Sequence, residues 1–407
     1  MRDIILYRRG AGHVKERPTR LVARLGLSYD GRAMRTGDSD IPRFREAILA
    51  WYDANRRDLP WRATSDPYAI WASEVMLQQT QVSRVAEYWP RFIERFPTVN
   101  ALAEASPGDV LAEWSGLGYY RRARMFQSAA RVVVNELGGV LPPSARDLCR
   151  LPGMGNYTSA AVASIGLGEA VPAVDANAAR VLARVLGLKG DVSRADKRRT
   201  LEHEARRLLD PERPGDFNQA IMELGALACS PAAPDCRSCP IARFCVAGAS
   251  SDPAAYPGPT APVRSIALRE AVGVVTRGAR LLLAVQKHER GWWQGLWTLP
   301  RCPLDADQDA VTALAAAIRK RFGVGCRFEG ERFERKYGVT RHRVTAVVLR
   351  GVWGGGDLIG TAGGKWISLD GAARLGLPAP HRAILDLLLE ADASVPEHVG
   401  EHERCDD

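Results

Sequence analysis

Four cysteines close together in the chain are the residues best suited to bind a metal. They are Cys229, Cys236, Cys239 and Cys245, separated by six, two and five residues. Thiolates at such spacing can surround one metal centre, and the two-residue gap suits zinc and iron–sulfur sites alike. Arg237 and Arg243 lie between the thiols and can face a phosphate backbone. The residue types alone leave a zinc knuckle and a [4Fe–4S] cluster open.

Glu74 is a carboxyl group within an apolar helical pattern. Helical spacing places it on one face with Ile70, Trp71 and Leu77. Burial there raises the pKa of a carboxyl group, which lets it act as a general acid near neutral pH. The alternatives are a solvated helix glutamate and a core salt bridge to an arginine.

Asp175 stands at the start of another helical pattern. It precedes the apolar run of residues 180–186, where an aspartate is a natural N-cap. Because a helix N-terminus stabilises negative charge, this carboxylate is expected to stay ionised. Glu74 and Asp175 then form a pair with opposed environments, as cleavage of an N-glycosidic bond requires: one donates a proton and the other stabilises an oxocarbenium cation. Simple capping is the alternative for Asp175.

A glycine turn with the sequence LPGMG separates two helical patterns at residues 151–155. Gly153 and Gly155 permit a tight turn whose backbone N–H groups can face a phosphate. With the small residues that follow at 158–161, the turn resembles the helix-hairpin-helix motif, which binds the DNA backbone without regard to sequence. An ordinary helix connection is the alternative.

The elements that must hold these residues are mainly helical. Between residues 41 and 249, apolar side chains recur every three to four positions, which predicts an all-helical domain containing the glycine turn and the cysteine loop. Asp66 and Ser106, each followed by proline, interrupt the pattern as helix caps do. Residues 1–40 lack sustained periodicity and are predicted to form a poorly ordered basic extension.

A change of pattern marks a second domain. Residues 250–264 are rich in proline, serine and alanine, which predicts an interdomain linker. From 265 to 392, short apolar runs separated by glycine-containing turns, with helical stretches near 308–322 and 380–390, predict an α+β domain. Residues 393–407 are expected to form a tail.

The composition of the chain limits the number of domains, the kind of partner and the cellular compartment to be expected. The 407 residues, 46% of them hydrophobic, allow two or three domains with cores of their own. Lys and Arg outnumber Asp and Glu by 56 to 47, and the resulting charge of +9 suits a polyanionic partner. With no apolar run of membrane length and no secretory signal, we expect a cytoplasmic, nucleoid-associated monomer without a membrane partner. Its eight cysteines then serve as ligands or core residues rather than disulfides.

Taken together, these segments resemble the endonuclease III superfamily of DNA glycosylases, and within it the adenine DNA glycosylase family. The resemblance is strong over about residues 42–250 and weak over 265–390. It rests on the four cysteines and on these motifs: DLPWR at 58–62, SEVMLQQTQ at 73–81, GLGYY at 116–120, LPGMG at 151–155, VDAN at 174–177 and FNQA at 217–220. The resemblance implies a helix-hairpin-helix glycosylase domain with a [4Fe–4S] cluster on the cysteines, followed by a Nudix-like lesion-recognition domain.

The activity that the resemblance implies is removal of adenine mispaired with 8-oxoguanine or guanine in double-stranded DNA, by base flipping, in base excision repair. Glu74 matches the residue that protonates N7 of the flipped adenine and later helps to activate water. Asp175 matches the carboxylate that stabilises the sugar cation, Asn177 orients the site, and Tyr157 lies close to both carboxyl groups. Ala176 replaces the glycine that is usual in the family.

Five further positions match residues that contact the mismatch. Gln79 and Tyr119 correspond to residues that fill or wedge the space beside the oxidised guanine, and an aromatic ring suits intercalation. Trp61, Arg62 and Gln219 correspond to walls of the base pocket. Gly153 and Gly155 correspond to the family's hairpin that contacts the DNA backbone.

Tyr157 separates two sister activities. Bifunctional members of the superfamily carry a Schiff-base lysine there, and tyrosine cannot form an imine, so a monofunctional glycosylase is predicted. Glu74 also argues against endonuclease III itself, which lacks an acid at this position. The alternatives are excision of thymine from G:T mismatches and a non-catalytic iron–sulfur protein that binds lesions.

The second domain departs from the family in one place. Residues 291–300, GWWQGLWTLP, resemble the module that reads 8-oxoguanine, and an aromatic-rich core segment is the alternative. The family's serine and histidine donors correspond here to Gly338 and Val339. Tyr337 is then the candidate for an aromatic contact, and His342 for the missing donor. No acidic Nudix metal box is present, so nucleotide hydrolysis is not expected.

Overall fold

The structure is a computed structural model that describes residues 37–258, 264–285, 292–360 and 363–393. The predicted basic extension lies outside the described residues up to position 36. The tail from 394 and the linker residues 259–263 also lie outside them.

The chain forms two compact units. Of the described residues, one unit contains 37–56 and 174–258, and the other contains 57–173 and those from 264 to 393. The α-helices up to residue 258 are α1 (Ile41–Asn55), α2 (Pro67–Leu77), α3 (Val82–Arg95), α4 (Val99–Glu104), α5 (Pro107–Glu113), α6 (Arg121–Leu137), α7 (Ala145–Leu148), α8 (Asn156–Gly166), α9 (Ala176–Leu186), α10 (Ala195–Leu208) and α11 (Pro214–Leu227). No helix in the described ranges is both long and apolar enough to cross a bilayer.

Capping side chains determine where two of these helices begin. Asp66 accepts a hydrogen bond from the backbone N–H of Tyr68 at 3.0 Å, and Ser106 accepts one from Asp109 at 3.1 Å. A proline follows each cap, where its missing N–H costs no hydrogen bond. Both positions that interrupt the apolar pattern are therefore helix N-termini.

The first unit packs around Phe44 of α1. Its ring centroid lies 6.3 Å from that of Phe217 in α11 and 5.6 Å from that of Phe244. Leu182 of α9 belongs to the same buried cluster, and so does Cys245, which is 9% exposed. The last of the four clustered cysteines thus lies in the core of this unit.

Helix α2 is buried on every side in the second unit. Residues 68–76 are all buried, and Trp71 packs edge-on against Phe126 of α6 with ring centroids 4.5 Å apart. A helix with this pattern lies inside a domain rather than on its surface. The prediction of one apolar face was too narrow, because Glu74 is the only charged residue in a fully enclosed stretch of helix.

The rest of the second unit is a mixed sheet with helices. Its strands are β1 (Ile266–Arg277), β2 (Arg280–Val285), β3 (Trp297–Thr298), β4 (Arg301–Leu304), β5 (Gly325–Val339), β6 (His342–Gly355) and β7 (Gly364–Ser368). The helices are α12 (Ala310–Phe322), α13 (Leu369–Ala373) and α14 (Ala379–Ala393). The strand order is β3-β2-β1-β6-β5, with β4 paired to β1 and β7 paired to β2. Strands β1 and β6 run parallel, whereas the other pairs are antiparallel.

Successive side chains of β1 point to opposite faces of this sheet. Ala271 packs in a cluster with Leu314 of α12, and the next residue, Val272, packs in a separate cluster with Ile384 of α14. Because helices cover both faces, the strand reads as a continuous apolar run rather than an alternating one. The predicted fold class, a helical glycosylase-type domain followed by an α+β Nudix-like domain, is confirmed.

Residues 292–296, the docking turn, attach this sheet to the helices of the same unit. Leu296 is fully buried in the cluster that forms the helical core. Nearby, the backbone oxygen of Leu377 accepts hydrogen bonds from the hydroxyl of Ser115 at 2.9 Å and from that of Tyr120 at 3.0 Å. Leu296 of the tryptophan-rich segment therefore contributes to packing, and the resemblance of this segment to a module that reads 8-oxoguanine stays a prediction.

Candidate active site and DNA interface

Glu74 and Tyr157 meet in the second unit. The hydroxyl of Tyr157 donates a hydrogen bond to Oε2 of Glu74 at 2.8 Å, and Glu74 is only 6% exposed. Their helices, α8 and α2, are also joined by Gln78, whose amide donates to the hydroxyl of Thr158 at 3.1 Å. Tyr157 thus contacts one of the two carboxyl groups to which the resemblance assigns it. Its proximity to Asp175, a residue of the other unit, stays a prediction.

Asp175 caps α9 and begins a chain of hydrogen bonds within the first unit. Its Oδ1 accepts from the backbone N–H of Ala178 at 2.6 Å, and its Oδ2 accepts from the side-chain amide of Asn177 at 3.2 Å. Arg180 donates to Oδ1 of Asn177 at 2.9 Å and to the backbone oxygen of Cys229 at 3.0 Å. Asn177 and Arg180 therefore connect this carboxyl group to the first clustered cysteine.

Two opposing effects act on the pKa of Asp175. Burial raises it, while hydrogen bonds from Ala178 and Asn177 and the positive charge of Arg180 lower it. The net change is upward from the ordinary value. Desolvation of the carboxylate therefore outweighs its cap, and the ionised state of Asp175 stays a prediction.

The glycine turn at residues 151–155 exposes backbone groups to solvent. Gly153 has a φ of 77°, and a Cβ atom there would lie 2.7 Å from Cβ of Met125, so both conformation and space require glycine. Gly155 is the N-cap of α8. Because glycine has no side chain, no capping side chain occupies the first N–H groups of this helix. Both glycines are exposed. The first N–H groups of α8 are therefore placed where an anion can approach them.

Gln79 and Tyr119 project from two loops of the second unit. Gln79 follows α2 and Tyr119 precedes α6. Both are exposed, Tyr119 to 47% of its surface. Such placement suits side chains that enter a DNA duplex.

The three predicted pocket-wall residues have different surroundings. Trp61 is 7% exposed and packs edge-on against Trp89 with ring centroids 6.4 Å apart. Arg62 donates a hydrogen bond to the backbone oxygen of Arg57 at 2.8 Å. Gln219 is partly buried in α11. Their contact with a base stays a prediction.

The four clustered cysteines are free thiols that influence one another. Burial, together with charges on the other three thiols, raises the pKa of Cys239 to about 12. Within the described ranges, no three Cys, His, Asp or Glu side chains are placed to hold a single metal ion. Four thiols in one loop are a donor set that both zinc sites and iron–sulfur clusters use. The choice between the two stays a prediction.

Arg184, which the sequence analysis did not single out, secures the first cysteine. It is 2% exposed and donates to Sγ of Cys229 at 3.2 Å, to the backbone oxygen of Ser230 at 2.6 Å and to that of Pro231 at 2.7 Å. Its Nε donates to the backbone oxygen of Tyr256 at 2.9 Å. No local signal distinguishes this arginine among the 56 lysines and arginines of the chain.

In the sheet domain, the two candidates for reading an oxidised base already have partners. The hydroxyl of Tyr337 donates to Glu270, which also accepts from Arg301 at 2.6 Å. Glu270 is 5% exposed, so this contact is internal. His342 lies 4.9 Å from the ring of Trp292, centroid to centroid. The hydroxyl of Tyr337 thus stabilises the sheet.

A cleft of about 770 Å³ lies beside Gly338 in the second unit. Arg84 and Arg91 of α3 line one part of it, and Arg335 and Lys336 of β5 line another. Arginine and lysine side chains facing one space favour a polyanion such as the phosphate backbone of DNA.

The helical fold with its glycine hairpin and the mixed sheet covered by helices are two parts that can be compared separately with known proteins. Residues 72–211 match the family model of the HhH-GPD superfamily of base excision DNA repair proteins, and residues 271–387 match that of the NUDIX domain. The chain therefore carries an HhH-GPD domain joined to a Nudix domain.

Particular relatives are similar over parts of their length. Human adenine DNA glycosylase is 47% identical over 216 residues, which cover 51% of this chain and 40% of the human protein. The adenine DNA glycosylase of Arabidopsis thaliana is 35% identical over 315 residues, 68% of this chain and 50% of that protein. That of Mycobacterium tuberculosis is 40% identical over 195 residues, 48% of this chain and 64% of that protein. The chain spans about half the length of the curated relatives that it matches.

Proposed function

We propose that this protein is an adenine DNA glycosylase of base excision repair. Its substrate is double-stranded DNA in which adenine lies opposite 8-oxoguanine or guanine. The hydrogen bond between Tyr157 and the buried Glu74 carries the proposal, because it orients a carboxyl group inside an apolar helix. Relatives named adenine DNA glycosylase support the choice of base.

The reaction uses the two carboxyl groups in turn. The flipped adenine receives a proton at N7 from Glu74, and the glycosidic bond breaks with both electrons on the base. The carboxylate of Asp175, oriented by Asn177, stabilises the sugar cation. Water then adds to C1′ and gives a proton back to Glu74, which restores the acid.

A substrate panel tests this function. Single-turnover release of adenine is measured on duplexes containing 8-oxoG:A, G:A or G:T, with matched T:A as the control. We expect release from the first two only. Release of thymine from G:T would assign the alternative mismatch activity, and duplex binding without release of any base would assign a non-catalytic lesion-binding protein.

The glycosylase is monofunctional, since Tyr157 offers no amine for an imine. Borohydride reduces a Schiff base to a stable link between protein and DNA. Treatment during turnover is expected to leave no covalent product, and a trapped protein–DNA species would contradict the assignment.

A [4Fe–4S] cluster on the four cysteines holds the loop that presents Arg237 and Arg243 to DNA. Absorption spectra and iron content of the purified protein test this, with Cys236→Ser compared to the control Cys302→Ser in the sheet domain. Loss of iron from Cys236→Ser alone is the expected result. A colourless wild type containing zinc would overturn the proposal.

The cationic rim of the cleft beside Gly338 binds the phosphate backbone and so positions the strand that carries 8-oxoguanine against the sheet domain. Arg335→Gln with Lys336→Gln is expected to lower the rate ratio of 8-oxoG:A to G:A, whereas Lys320→Gln, on a helix away from the cleft, should leave it unchanged. An unchanged ratio in the double variant would place recognition elsewhere.

A further inference from the structure

The two proposed wedge residues share an unusual backbone conformation. Gln79 has a φ of 59° and Tyr119 a φ of 47°, which places both in the left-handed region. Side chains other than glycine adopt this region at an energetic cost, so surrounding contacts must hold them there. Such conformations are frequent at ligand clamps, where they aim a side chain.

One arginine contacts both loops. Arg122, in the first turn of α6, is partly buried and lies two residues after the second tyrosine of the GLGYY motif. Its guanidinium group donates to the backbone oxygens of Val75 and Met76 at 2.8 Å each, to the hydroxyl of Thr80 at 3.0 Å, and to the backbone oxygens of Leu117 at 3.2 Å and Gly118 at 3.1 Å. The acceptors flank Gln79 on one loop and precede Tyr119 on the other.

The chemistry of these contacts is specific to arginine. The planar fork of a guanidinium group reaches several acceptors in fixed directions, whereas a lysine ammonium is a single point of charge. The guanidinium carbon also lies 5.5 Å from the ring centroid of Tyr119 itself. Burial lowers the pKa of Arg122 to about 10, which still leaves the group charged at neutral pH.

We propose that Arg122 is the positioning residue that holds Gln79 and Tyr119 together, so that both side chains enter the duplex as one wedge. Because it also binds the last carbonyl groups of α2, it couples this wedge to the helix that carries Glu74. This inference rests on the proposed function, because one of its tests measures the excision of adenine.

The first test compares Arg122→Lys with the neighbouring Arg121→Lys, since both substitutions conserve charge. Fluorescence of 2-aminopurine, placed in the duplex at the target adenine, reports unstacking upon binding and needs no excision. We expect Arg122→Lys to lose most of this signal and to excise adenine about 10- to 100-fold more slowly, while Arg121→Lys resembles the wild type. An undiminished fluorescence signal in Arg122→Lys would overturn the proposal.

The second test asks whether Arg122 acts through the wedge. In a Tyr119→Ala background, adding Arg122→Lys is expected to slow excision by no more than about twofold, because coupled residues are not additive. Independent, multiplying effects would overturn the proposal. If Arg122→Lys does not fold, Thr80→Val removes one acceptor and must by itself reduce the fluorescence signal. A wild type that unstacks the base but releases none refutes the proposed activity and leaves this inference standing.

Discussion

Glu74 and Asp175 are two carboxyl groups in contrasting surroundings. Glu74 lies within a helix buried on every side and accepts a hydrogen bond from a neutral hydroxyl. Asp175 lies at a helix N-terminus, where a backbone N–H and a side-chain amide donate to it and Arg180 adds positive charge. Apolar surroundings disfavour a charged carboxyl group and donors favour one, and at Asp175 the donors and Arg180 oppose an effect of burial that still prevails. The contrast therefore lies in the donors that hold each carboxyl group, and the proposed function assigns proton donation to Glu74 and stabilisation of the sugar cation to Asp175.

The largest expected effect comes from removing the proton of Glu74. Glu74→Gln preserves shape and can still accept the hydrogen bond of Tyr157, but it offers no acidic proton. We expect single-turnover release of adenine to fall by about a thousandfold or more. The exposed Glu94→Gln on α3 serves as control. If Glu74→Gln released adenine at the wild-type rate, Glu74 would not be the proton donor and the functional contrast with Asp175 would be refuted.

Asp175→Asn separates capping from catalysis. Asparagine is as good an N-cap as aspartate, so the thermal midpoint should stay near that of the wild type. Excision is expected to slow by about a hundredfold, because the sugar cation loses its counter-charge. Asp309→Asn, at the capping aspartate of α12, is the matched control and should affect neither quantity. A fall in stability without a fall in rate would reduce Asp175 to a cap.

The pH dependence tests the surroundings of Asp175. Excision needs its anion, so the rate falls as the pH drops through a pKa that burial raises. Asn177→Ala removes a hydrogen bond that lowers this pKa, which moves it further upward. The acid limb of the single-turnover rate profile should therefore shift to higher pH, with a loss of about tenfold near that limb. A shift to lower pH would contradict this account of the site.

The smallest effect is expected at Tyr157. Tyr157→Phe removes the hydroxyl that donates to Glu74 and keeps the ring. One hydrogen bond is worth about 1 kcal/mol, so excision should slow by about fivefold, as single-turnover rates can measure. A loss as large as that of Glu74→Gln would give the hydroxyl a chemical role of its own.

Local patterns carry much of the fold. Helix starts at Asp66 and Ser106 are predictable because a cap depends on residues two or three positions away. The change from helical spacing to short apolar runs likewise predicts the second domain. Motif resemblance locates Glu74 and Tyr157, but the hydrogen bond between them spans 83 residues and appears only in the structure.

Long-range contacts account for what sequence reasoning missed. Arg122 binds Val75, 47 residues away, and Arg180 binds Cys229, 49 residues away. Neither stands out in a chain rich in arginine. The upward pKa shift of Asp175 likewise depends on burial, which a capping motif does not reveal.

The docking turn, residues 292–296, determines whether the helical part can be separated from the sheet domain by truncation. Leu296, a residue of the Nudix domain, is fully buried in the core of the helical part. Truncating the chain ahead of the sheet would leave an unfilled cavity in the core of the helical part, so a shortened protein would report on structural integrity as well as on the proposed reading of the lesion. A chimera with a foreign Nudix domain would need a leucine on a turn of the same shape. The two domains should therefore be engineered together.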